Sequence, residues 1–167
     1  IQLIAGRGGD LATGRLGDKS PSPPVPQSPS PLVPWSSEKV IQTILESGLR
    51  GRGGGGFPTG LKWKFANNNK SASKFIICNA DEGEPGTFKD RLILEGDPHK
   101  LIEGMLLAGY AVGASKGFVY IRGEYALSIE RLERAIAQAR DYGLLGMNIL
   151  ESTFTFDIFV MKGAGAY

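Results

Sequence analysis

Apolar positions fall into short blocks along the chain, and the spacing within each block sets the element it predicts. Val40, Ile41, Ile44 and Leu45 recur at helical spacing, with Ser37 placed to cap the helix and Gly48 to end it. KFIICNA (74–80) is a compact apolar run that reads as a short buried strand. Asp97 followed by Pro98 is a helix start, and the helix should run to about Val112. Its small residues Gly104, Ala108 and Gly109 leave room for close packing against a sheet. GFVYIRG (117–123) predicts a second strand. Ser128 to Tyr142 predicts another helix, with Ile129, Leu132, Ile136 and Ala139 as its inner stripe and Gly143 as its stop. TFDIFVMK (155–162) alternates like a third strand. The order strand, helix, strand, helix, strand predicts βαβ units: an α/β fold with a mainly parallel sheet covered by helices.

The segments between and before these blocks are polar or glycine-rich. Residues 81–91, DEGEPGTFKDR, hold too many turn formers and charges for a regular element. Residues 1–35 differ from the rest. Their PSPPVPQSPSPLVP stretch alternates proline with serine and predicts a disordered low-complexity tail, a linker rather than a polyproline ligand. The ordered domain is expected over 36–167. GAGAY (163–167) follows the last strand as the opening of a phosphate loop would, with a helix still to come. The reading therefore expects a domain incomplete at its C-terminus.

Composition narrows the function classes. A formal net charge of +2, with no Lys/Arg run, argues against nucleic acid as a partner. Apolar stretches such as 105–114 fall short of the roughly 20 residues a membrane span needs, so direct membrane insertion is not expected. The single cysteine, Cys78, excludes an internal disulfide and an all-cysteine cluster. On an apolar strand it reads as a small packed hydrophobe rather than a nucleophile. His99, the lone histidine, falls in a first helical turn and reads as a surface residue. No metal site is expected.

The chemistry concentrates in GRGGGGFPTGLKW (51–63). Five glycines, Gly51, Gly53, Gly54, Gly55 and Gly56, stand beside Arg52, Phe57, Lys62 and Trp63. Glycine lets main-chain N–H groups approach a ligand, cations suit a phosphate, and flat aromatics suit a flat ring. The spacing Gly51-x-Gly53-x-x-Gly56 matches the dinucleotide fingerprint in letters. Its context differs, because a helix and not a strand precedes it. An anion- or ring-binding loop of another geometry is the better reading. Asn79, Asp81, Glu82 and Glu84 lie at the carboxyl end of a predicted parallel strand, where open α/β sheets bind ligands. They suit sugar-alcohol hydroxyls; a solvated acidic turn paired with Lys89 or Arg91 is the equal alternative.

Four blocks together bring a family into view: GLRGRGGGGFPTGLKWKF (48–65), CNADEGEPGTFKDRLILEGDPHKLIEGM (78–105), YIRGEY (120–125) and KGAGAY (162–167). Over about residues 36–167 the chain resembles the flavoprotein subunit of NADH dehydrogenases. This is the 51-kDa or F-type subunit of respiratory complex I, with relatives among NAD(P)-linked hydrogenases and formate dehydrogenases. The resemblance implies a Rossmann-like FMN-binding domain. It implies an oxidoreductase in which NADH passes a hydride to FMN and electrons leave singly for iron–sulfur clusters, then for quinone or a hydrogenase or ferredoxin partner. By the same resemblance Gly51, Arg52, Gly53 and Lys62 would lie against FMN, within the loop that also holds Gly55 and Gly56. Asn79, Asp81, Glu82 and Glu84 would approach its ribityl chain and ring. Gly54, Phe57, Lys62 and Phe65 would line the NADH side, and Tyr167 would end a block whose backbone meets the flavin. The implied partners are a thioredoxin-like 2Fe–2S subunit of the 24-kDa type and other subunits of complex I or a hydrogenase. The implied location is cytoplasmic, or peripheral on the inner face of the membrane through a larger complex. The family's 4Fe–4S ligands and later flavin-phosphate segment are not in this sequence. A catalytically inactive fragment, at most a binding module, is therefore the alternative expectation.

Overall fold

A computed structural model describes residues 35–165. Nearly all of the expected tail, and Tyr167 with the residue before it, lie outside the described residues. The described residues form five α-helices, one 3-10 turn (Ile149–Glu151) and three strands: α1 (Ser37–Glu46), α2 (Thr59–Asn68), β1 (Phe75–Ala80), α3 (Lys89–Gly96), α4 (Pro98–Val112), β2 (Lys116–Arg122), α5 (Ala126–Asp141) and β3 (Asp157–Gly163). The strands form one parallel sheet in the order β1-β2-β3. The α/β class with a parallel sheet is thus as the periodicity predicts.

Two helices lie where none was expected. The glycine loop runs directly into α2, and α3 takes in the last three residues of the segment read as irregular and runs on to Gly96. A smaller correction concerns α1. Its cap is Ser36, not Ser37: the Ser36 hydroxyl accepts the Lys39 N–H at 3.2 Å. Asp97 caps α4 in the expected way, accepting from the Lys100 N–H at 3.2 Å. His99 is exposed, its Nε2 3.1 Å from the Gln138 side-chain oxygen.

The core is a single cluster between one face of the sheet and the helices α4 and α5. Val119, Ile121 and Ile158 meet Ile102, Met105, Val112, Ile129, Leu132, Ile136 and Ala139 there. Phe156 is fully buried, and its ring fills a niche made by two glycines. A Cβ at Gly109 would lie 2.6 Å from that ring, and one at Gly117 would lie 2.9 Å from it. The small residues of α4 therefore do admit close packing, but the partner is an aromatic ring. Gly104 takes no part in it: it is exposed, with nothing within 4 Å of a Cβ.

The other face of the sheet is not covered by helices among the described residues. Ile77 pairs with Phe118 and Phe118 with Phe159; Asn79 pairs with Tyr120 and Tyr120 with Met161. On this face Ile77 is 72 % and Met161 50 % exposed. The strand order explains the asymmetry. Consecutive crossovers of one hand in a 1-2-3 sheet place their helices on the same side, and only a reversal of strand order brings chain to the other.

Helices α1 and α2 pack on each other and on α4. Gly60 sets the first contact: a Cβ there would come within 2.7 Å of the Leu45 main-chain nitrogen. Lys74 ties the ends together. Its ammonium donates to the Asn67 carbonyl near the end of α2 (2.9 Å) and to the Val112 carbonyl at the end of α4 (3.0 Å). Both helices thus finish beside the start of β1.

Candidate functional site

The glycine loop is closed at its base and open at its tip. Gly51 N–H donates to the Phe57 carbonyl and Thr59 N–H to the Leu49 carbonyl, each at 2.9 Å. The Arg50 guanidinium reaches the Gly56 carbonyl at 3.1 Å and braces the turn from within. Among the described residues, none of the main-chain N–H groups of 52–57 has an acceptor. The glycines have separable reasons. Gly54 and Gly56 have φ of +107° and +59°, which a side chain would strain. Gly53 and Gly55 have no positive φ, and nothing lies within 4 Å of a Cβ at either. Neither backbone conformation nor internal packing asks for glycine at those two positions.

A hollow of about 520 Å³ opens along this segment, lined by Ser47, Gly48, Leu49, Arg50, Gly51, Arg52 and Gly56. It lies in the size range of small-ligand sites and carries two guanidinium groups. Lys62 is not part of it. Lys62 borders a separate groove of about 450 Å³ between α2 and β1, with Trp63, Phe75 and Ile77. Trp63, read from the sequence as a ring to meet a flat ligand, packs against the core and anchors α2. Phe57 and Phe65 are exposed and available for stacking.

The acidic turn leaves the carboxyl end of β1, where the sequence placed it. Its members behave differently. Asn79 Oδ1 accepts the Asp81 N–H at 3.1 Å and shapes the exit of the strand. Glu84 is exposed and Asp81 half-buried, and neither carboxylate is paired among the described residues. The Glu82 side chain is 2 % exposed. Its carboxylate accepts the N–H groups of Asp90 (3.0 Å) and Arg91 (3.3 Å) and the Tyr125 hydroxyl (3.3 Å). Lys89 stands 3.9 Å away, in the pairing offered as the alternative to a ligand role. Helix α3 has no cap from its own first residues, so Glu82 serves as its cap from outside the helix. Burial alone would raise the Glu82 pKa. The two main-chain N–H groups, the Lys89 charge and the Tyr125 hydroxyl outweigh it and hold the carboxyl below its ordinary value. This carboxylate is committed to the fold, while Asn79, Asp81 and Glu84 remain open to a ligand.

Behind the turn stand Arg122 and Tyr125, from the YIRGEY block. Arg122 donates to the Glu82 main-chain carbonyl at 2.8 Å. Its guanidinium lies 5.7 Å from the Tyr125 ring centre, and Arg91 lies 5.9 Å from the same ring. Periodicity gave no role to Arg50, Arg122 or Tyr125; the only sequence signal for the last two was the block itself. Gly123 and Gly163 close the same end of the sheet, where a Cβ on Gly123 would meet the Gly163 carbonyl at 2.7 Å. Cys78 is no nucleophile: burial, and then the charge of Asp90, push its thiol up to about 11.

A parallel α/β domain with an open glycine loop before its first strand and an acidic turn at that strand's exit is of the kind that binds nucleotides and flavins. Residues 44–167 match the family described as the Nuo51 FMN-binding domain, and the chain belongs to this family. It is 55 % identical over 130 residues to an F-type NADH-quinone oxidoreductase subunit of Rhizobium meliloti (strain 1021), covering 78 % of this chain and 31 % of that protein. It is 57 % identical over 129 residues to the NADP-reducing hydrogenase subunit HndC of Solidesulfovibrio fructosivorans, covering 77 % of this chain and 26 % of the relative. The fold is similar to a chain in the crystal structure of an NAD+-reducing [NiFe]-hydrogenase in the H2-reduced state. The TM-score is 0.70 and the identity 42 %, over 79 % of this chain and 22 % of that one. The chain thus spans about a third or less of the relatives it matches. Among the described residues no helix is long and apolar enough to cross a membrane.

Proposed function

We propose that this domain binds FMN and NADH as part of an NADH-oxidising flavoprotein subunit. The observation that carries the reading is the pair Gly53 and Gly55, glycines that neither backbone conformation nor packing explains, in a loop whose N–H groups have no internal acceptor. Such a loop fits the polar, anionic part of a flavin nucleotide. The amides of 52–57 and the Arg52 guanidinium supply donors, and glycine lets the ligand lie against the backbone. Asn79, Asp81 and Glu84 face the hydroxyl-rich part, since carboxylates would repel a phosphate. Phe57 and Phe65 offer rings to an adenine, and Lys62 a charge to the NADH phosphates. Tyr167 keeps its assignment next to the flavin by resemblance.

FMN held by these residues would supply the redox chemistry, hydride acceptance from NADH and one-electron release. The residues of this chain bind and orient; no side chain here needs to move a proton for hydride transfer. One cysteine does not make a cluster, so iron–sulfur acceptors are held by residues outside this sequence. The natural partners on this reading are other subunits of a complex I or hydrogenase assembly, among them a 2Fe–2S subunit of the 24-kDa type. The domain would then work in the cytoplasm or at the inner face of a membrane through that assembly. FMN titration of the 167-residue chain, read by quenching of flavin fluorescence, tests the reading. Saturable binding followed by bleaching with NADH supports it. A folded chain that leaves flavin fluorescence unchanged rejects the glycine loop as a sufficient FMN site.

A further inference from the structure

The RGEY part of the YIRGEY block packs Tyr125 against the core and gathers polar contacts on the acidic turn. Arg122 is fixed at the end of β2, paired with the end of β1 through Ile121 and Ala80. From there it donates to the carbonyl of Glu82, which sets the direction of the Glu82–Gly83 peptide. Tyr125, one residue before α5, sends its hydroxyl to the carboxylate of the same residue. The Tyr125 ring lies within cation–π reach of the guanidinium groups of Arg91 and Arg122, from α3 and β2. Glu82 itself closes the circle by accepting the first N–H groups of α3. Main chain and side chain of one residue are therefore held from three elements. The residues from Gly83 to Phe88 hang between that fixed point and α3.

We propose that Arg122 and Tyr125 are positioning residues for the cofactor site. Acting through Glu82, they hold the 81–88 turn in the one conformation that presents Asp81 and Glu84 to the ligand. This rests on the FMN reading of the site. A freely hinged turn of glycine, proline and acidic residues would lose conformational entropy whenever the ligand bound. Anchoring it in advance spares that loss. The guanidinium matters more than its charge, because it lies within cation–π reach of the ring while donating to a carbonyl; lysine supplies the charge without the planar fork of donors.

Two conservative variants of the full chain test this, Arg122→Lys and Tyr125→Phe, with two readouts. Hydrogen exchange should quicken in the amides of 83–91, with Asp90 and Arg91 among them, and stay as in wild type across β2 and α5. FMN affinity should fall about tenfold in Arg122→Lys and less in Tyr125→Phe, measured at a temperature where each variant is still folded. Wild-type exchange in both variants overturns the proposal. So does faster exchange with undiminished FMN affinity, because the turn would then be held without benefit to the ligand. Full retention by Arg122→Lys would assign the role to charge alone and also overturn it. Absence of FMN binding by the wild-type chain rejects the flavin reading instead, and the exchange readout still decides whether these residues hold the turn.

Discussion

Glycine stands in two regions of this molecule for opposite reasons. In the framework, Gly60, Gly109 and Gly117 are filled space: a Cβ at any of them would lie less than 3 Å from a neighbouring atom. In the loop, Gly53 and Gly55 face nothing within 4 Å. The first set lets α1 meet α2 and lets Phe156 lie between α4 and β2. The second set has no structural task inside the chain. Gly83, Gly96 and Gly104 share that open surrounding, so what sets Gly53 and Gly55 apart is their place in a loop whose N–H groups have no acceptor among the described residues.

The contrast can be broken at its strongest point first. Phe156→Ala empties the niche between Gly109 and Gly117 and should cost about 3–5 kcal/mol, measured by urea unfolding. A loss within the range of a surface substitution would show that the ring does not set the core. Gly60→Ala forces a methyl group against the Leu45 backbone, which cannot swing away as a side chain could. About 1–3 kcal/mol should be lost, with α1 loosening from α2. Gly53→Ala and Gly55→Ala should leave stability within about 0.5 kcal/mol, because nothing is crowded and the backbone is ordinary. Their effect should appear in FMN affinity alone.

The smallest expected effect is acid-dependent and belongs to the third kind of site residue, one that serves the fold. The Glu82 carboxyl is held below its ordinary value in the folded chain. Its contribution is therefore present above the unfolded value of about 4.3 and fades as pH falls through the folded one. Glu82→Gln should flatten that acid limb, seen as a smaller difference in urea midpoint between neutral and acid solution. An unchanged limb would mean that other carboxylates carry it.

Much of the framework was legible because its signals are local. Asp97-Pro98, the stripe Ile129, Leu132, Ile136 and Ala139, and the apolar run of β1 each declare an element within a few residues. Helix α3 was not legible because its cap is Glu82, supplied from seven residues upstream of its first residue, while the nearby Thr87 turns its hydroxyl to the Glu84 carbonyl instead. Helix α2 begins at a proline without a side-chain cap, straight after glycines that mark a loop. The open sheet face follows from strand order, which periodicity does not encode. At the site, residue types named the right segment but not the division of labour. Nothing in the letters of Asp81, Glu82 and Glu84 says that only the middle carboxylate turns inward.

The central claim is that the glycine loop is a binding surface and not a packing device. The most direct test measures FMN affinity and urea stability together for the Gly53→Ala, Gly55→Ala double variant and for Gly60→Ala. The account predicts a crossed result: the double variant keeps its stability and loses flavin, while Gly60→Ala loses stability first. A double variant that binds flavin as tightly as wild type, or one that unfolds like Gly60→Ala, would contradict it.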